Sequence, residues 1–97
     1  MDVTGRGNRE DWWNALYRFI GDMSDKLEAN SHKPGWASLT FQELLKRMKA
    51  EVNELERAIS SGNMREVMLE AADVANFAMF IADVAWADNK WGDTANV

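Results

Sequence analysis

Residues Val67 to Ala87 form an almost wholly apolar run, interrupted by Glu70, Asp73, Asn76 and Asp83. About 20 such residues could cross a bilayer, but each of the four polar groups would be costly in lipid. The run therefore reads as a buried helix rather than a membrane span. Its apolar residues fall on nearly every side of a helical wheel, and such a helix needs neighbours all round. A chain of 97 residues has room for one domain. Two partner helices cannot surround the apolar one. A second copy of the chain is expected to cover the rest, as a homodimer or a dimer of dimers with closed symmetry.

The remaining residues supply the two partners. A first helix is expected over about 8–30, with Asn8 as N-cap and an apolar stripe of Trp12, Leu16, Phe19, Ile20, Met23 and Leu27. The segment Asn30-Ser31-His32-Lys33-Pro34-Gly35 then stops it, since proline and glycine both punctuate helices. A second helix is expected over about 40–60. Thr40 and Glu43 form a T-x-x-E capping box, and Leu39 and Leu44 stand where a hydrophobic staple needs them. Phe41, Leu44, Leu45, Met48, Val52, Leu55 and Ile59 make its apolar stripe, and Ser60-Ser61-Gly62 ends it. The third helix is expected over about 63–88, capped by Asn63 with Glu66 three residues on. It would be roughly 39 Å long. The polar tail, 89–97, contains Gly92 and is expected to be loosely held. The expected fold class is all-α: one domain over 1–97, three main helices in a bundle completed by dimerisation.

Composition narrows the chemistry. There is no cysteine and a single histidine, His32, so neither a thiolate nor a His-rich metal site can be built. Any metal would be held by carboxylates. The formal net charge of −5 argues against duplex nucleic acid, whose partners carry a basic face. A small anionic substrate is compatible if a cation stands between it and the carboxylates. Met1 to Arg9 lacks the apolar core of a signal peptide, so a cytoplasmic location is expected.

The acidic residues come in two matched pairs. Glu51 and Glu54 are three apart on the second helix, and Glu70 and Asp73 repeat the spacing on the third. At ~100° per residue Glu51 falls beside Met48 and Leu55, at the edge of the apolar stripe. Taken alone, the first pair would be read as a solvated face. The second lies inside an apolar run, where unpaired carboxylates are expensive. Two such pairs on consecutive antiparallel helices would point four carboxylates at one another. That repulsion asks for a divalent cation, and hard oxygen ligands suit magnesium or manganese.

The spacing E-x-x-E (Glu51-Val52-Asn53-Glu54) followed by E-x-x-D (Glu70-Ala71-Ala72-Asp73) resembles the metal-binding signature of the MazG-like all-α nucleoside triphosphate pyrophosphohydrolases. The stretches KLEANSHKPGW, LLKRMKAEVNELERAI and EAADVANFAMFIADV look like the small phage and bacterial members, and the similarity covers roughly Phe19 to Val84. One position differs: the family's linker tends to read K-G-G-W, and here Pro34 replaces the first glycine.

The resemblance implies hydrolysis of a nucleoside triphosphate, deoxy by preference, to the monophosphate and pyrophosphate. Magnesium or manganese would be held by Glu51, Glu54, Glu70 and Asp73. Water would attack the α-phosphorus, and Glu54 or Glu51 would accept its proton, Glu54 being the first choice. Further contacts are expected from Asn76 (to phosphate or sugar), Trp36 (stacked on the base), Lys33 and Arg47 (to the phosphate tail). Each has a plainer reading. Asn76 could be a buried hydrogen-bonded amide, Trp36 a packed side chain, Arg47 an i, i+4 partner of Glu51, and Lys33 a solvated lysine; Lys26 is a similar case, a solvated lysine or a phosphate contact. Trp12, Trp13, Trp86 and Trp91 are expected in the core or an interface, and His32 has no partner that would mark it as catalytic. The rival from another class is a non-catalytic dimeric helical module whose acidic face binds cations.

Overall fold

The computed structural model describes the backbone of residues 7–95 and the side chains of residues 7–89. It contains three helices and, among the described residues, no strand: α1 (Arg9–Ala29), α2 (Phe41–Ser61) and α3 (Met64–Ala95). The expected all-α class holds.

Helix starts follow local chemistry. Asn8 accepts from the Asp11 N–H at 2.9 Å, and Asp11 accepts from the Asn8 N–H, so α1 opens with a capping box. Thr40 and Glu43 make the same reciprocal pair at α2, at 3.1 and 3.2 Å. Asn63 accepts from the Glu66 N–H at 3.1 Å at the start of α3. The end of α2 needs a left-handed residue, and Gly62 takes it at φ 76°.

The third helix departs from expectation at its far end. It runs on past residue 88 to Ala95, which makes it about 48 Å long. No proline stands in that stretch, and Gly92 costs only about 1 kcal/mol relative to alanine. Propagating an established helix needs no new nucleus. Trp91 lies outside the described side chains.

The Gly62–Asn63 connection folds α3 back along α2, as a short link between helices must. On another side α3 contacts α1, while the backbones of α1 and α2 make no close approach among the described residues. The central helix therefore has two neighbours, and its buried core is small. Among the described residues Leu44, Ala58 and Ala72 are the buried apolar ones, joined by one polar residue, Asn76. In α1 nothing is fully buried. Phe19, Met23 and Leu27 of its stripe are half-buried, but Trp12, Leu16 and Ile20 stay exposed, as do Trp13 and Trp86. These three tryptophans are thus not core residues in the single chain. Among the described residues no helix is long and apolar enough to cross a membrane.

Candidate metal centre

The α2–α3 hairpin brings Glu51 opposite the Glu70–Asp73 face. One carboxylate oxygen from each of Glu51, Glu70 and Asp73 lies within 4.8 Å of the other two, and all three residues are half-buried. Their convergence follows from helix geometry. The i, i+3 spacing puts Glu70 and Asp73 on one side of α3, and the tight turn at Gly62 sets which residues of α2 face them.

Glu54 stands outside this group. It is exposed and pairs with Arg57 on the outer surface of α2. Three of the four expected ligands are therefore brought together and the fourth is not. Glu54 is still close enough for its charge to act on both Glu51 and Glu70.

The site is completed from α1. Lys26 Nζ lies 3.1 Å from Asp73 Oδ2, with both side chains mostly shielded. Burial works against the Lys26 ammonium, but the hydrogen bond and charge of Asp73, then Glu70 and Glu51, outweigh it and raise its pKa. Burial likewise raises the pKa of Glu51 above its ordinary value of 4.5, helped by the charges of Asp73 and Glu70. Glu70 is raised by burial and then by Asp73. A cluster that holds protons too tightly is one that would welcome another positive charge.

Those two raised carboxyls make a pH prediction. The folded form binds their protons more tightly than the unfolded chain does. Their favourable contribution is thus complete below the unfolded value near 4.5 and is lost as pH rises through the folded values. Chelator-treated protein should gain stability between pH 7 and pH 5 through these groups. The double variant Glu51→Gln, Glu70→Gln should gain less over the same interval, as read by urea denaturation. Equal gains in the two proteins would mean that folding raises neither carboxyl.

Other expected contacts land elsewhere. Asn76 is 4 % exposed and donates from Nδ2 to the Met23 carbonyl of α1 at 3.1 Å. It is an interior clamp, not an open substrate contact, because its position on α3 lies under α1. Its Oδ1 is buried and has no hydrogen-bond partner. Trp36 is stacked on Phe80 of α3 at 4.3 Å and 12°, and its indole N–H donates to Asp83 at 3.1 Å. The linker is thereby pinned to α3, with Phe77 edge-on to Phe80. Lys33 and Arg47 are exposed, and Arg47 does not form the i, i+4 ion pair with Glu51. His32 is exposed.

Lys26 is the residue that sequence reasoning undervalued. Its signal was faint: it sits between Met23 and Leu27, at the edge of the apolar stripe, where a lysine is not fully solvated. Only the crossing of α1 over α3 shows which carboxylate it meets.

The chain is similar to an uncharacterised protein of Archaeoglobus fulgidus, with 28% identity over 76 residues that cover 73% of this chain and 82% of that protein. No protein-family model and no solved structure matches the chain.

Proposed function

We propose that the chain is a metal-dependent nucleoside triphosphate pyrophosphohydrolase of the MazG-like kind, cleaving the α–β phosphoanhydride of a (deoxy)nucleoside triphosphate. The observation that carries this reading is the meeting of Glu51, Glu70 and Asp73 within 4.8 Å, from the two helices that bear the paired acidic motifs.

The donor set suits the metal. Three carboxylates are hard oxygen ligands of the type magnesium and manganese prefer, and three protein ligands leave coordination positions for other oxygens. Asn76, one turn beyond Asp73, has a buried Oδ1 without a hydrogen-bond partner. When bound, the ion would supply positive charge against the phosphate oxygens and favour ionisation of a water nucleophile.

The chain's own residues divide the remaining work. Glu51, Glu70 and Asp73 hold the ion. Glu54, outside the ligand group yet in its electrostatic reach, is the group to accept a proton from the attacking water. Its pair with Arg57 is exposed, and exposed pairs are weak enough to exchange. Lys33 and Arg47, both exposed, are free to turn toward a phosphate tail. Trp36 has one ring face on Phe80 and only the other to offer a base.

A panel of nucleoside triphosphates with magnesium or manganese tests the reading. Pyrophosphate and the monophosphate should appear from at least one substrate, and only when the cation is present; phosphorus NMR identifies the products. Release of γ-phosphate with a diphosphate left behind would contradict the bond named here. No turnover of any triphosphate would return the chain to a non-catalytic helical module.

A further inference from the structure

Lys26 reaches the acidic group from α1, a helix that contributes no carboxylate to it. Among the described residues the other basic side chains are committed elsewhere or stand on the surface. Arg57 pairs with Glu54 and Arg65 with Asp22, while Lys33 and Arg47 are exposed. The position of Lys26 is also braced. Asn76 donates to the Met23 carbonyl, and Met23 is one turn from Lys26 just as Asn76 is one turn from Asp73. One part-buried hydrogen bond thus ties together the two segments that carry the ion pair.

Charge decides what such a lysine can do. Three carboxylates and one ammonium leave two net negative charges, which a divalent cation cancels. A triphosphate then brings several more. Once a metal shares the charge of Asp73, the attraction of that carboxylate for Lys26 falls, and phosphate oxygens become the stronger partner. We infer that Lys26 is a phosphate-binding residue of this site, neutralising Asp73 in the metal-free protein and turning to the triphosphate tail when a divalent cation occupies the carboxylates. The inference rests on the metal-dependent reading above and extends the substrate contacts to a third helix.

Two calorimetric titrations test it, on the unmodified protein, Lys26→Met and Lys26→Arg. The first uses manganese alone; the second uses inorganic tripolyphosphate as its manganese complex. Lys26→Met should bind manganese about three- to tenfold more tightly, because a competing positive charge is gone. It should bind tripolyphosphate at least about tenfold more weakly, because a charge-assisted hydrogen bond is lost. Lys26→Arg keeps the charge and should bind tripolyphosphate within about threefold of the unmodified protein. These opposite shifts are the signature, since a residue that merely braced the fold would weaken both affinities together. Joint weakening, unchanged tripolyphosphate binding in Lys26→Met, or no tripolyphosphate binding by the unmodified protein each overturns the inference. Parallel nucleotide assays keep the two readings apart. If triphosphates are hydrolysed and Lys26→Met keeps its KM, the role of Lys26 falls and the hydrolase stands. If no nucleotide is hydrolysed but tripolyphosphate binds through Lys26, the hydrolase falls and Lys26 stands.

Discussion

Magnesium is expected to stabilise the unmodified protein strongly and the Glu70→Gln variant far less. A cation that binds only the folded form adds RT ln(1 + [L]/Kd), about 2.7 kcal/mol at a hundredfold excess over Kd. For a domain of this size that is a rise of roughly 10–20 °C in melting temperature. The geometry says why Glu70 should matter. It supplies one of three carboxylate oxygens that lie within 4.8 Å of one another, and burial, joined by the charge of Asp73, already raises its pKa. Glu70→Gln removes both a ligand and a repulsion. Its metal-free stability should therefore be equal to or above that of the unmodified protein, while its turnover should be abolished. A solvated acidic face behaves differently: the substitution would change little, and magnesium would act on both proteins only by screening. Thermal melts of the two proteins, with and without magnesium at constant ionic strength, decide between these accounts. Equal magnesium shifts would remove Glu70 from the ligand set.

The second large effect concerns assembly. The single chain leaves an apolar face uncovered: Trp12, Trp13, Leu16, Tyr17 and Ile20 of α1 are all exposed. Leu16 also lines an apolar groove between α1 and α3, with Trp12, Phe19, Val67 and Met68. A second copy is the expected cover, giving a dimer or a dimer of dimers. Light scattering should return two or four times the chain mass at micromolar concentration. Leu16→Glu should dissociate the assembly, raising the dissociation constant by a hundredfold or more, since an unpaired buried charge costs about 3 kcal/mol or more. In a true monomer the same change sits on the surface and costs within about 0.5 kcal/mol. A stable monomer for the unmodified protein would sink this expectation.

The helices and their starts were legible in the sequence because they rest on local chemistry. Capping at Asn8, Thr40 and Asn63 needs only residues three apart, and Gly62 is the residue type a left-handed helix end prefers. That acidic residues of α2 would meet Glu70 and Asp73 could be read from spacing, because a two-residue connection leaves α2 and α3 little choice but to lie side by side. The end of α3 was not legible, since no local residue forbids its continuation to Ala95. What remained for the tertiary structure was every contact whose partners lie far apart in the chain. Glu54 and Glu51 look alike in sequence, yet Glu54 turns outward to Arg57 while Glu51 turns in. Trp36 goes to Phe80 and Asp83, Asn76 to the Met23 carbonyl, and Lys26 to Asp73. Periodicity tells which side of a helix is apolar, but the partner met by a polar group at the edge of that side depends on how the helices cross. Spacing therefore determined the helices and the acidic pairs, and packing decided that α1 lends the cluster its lysine.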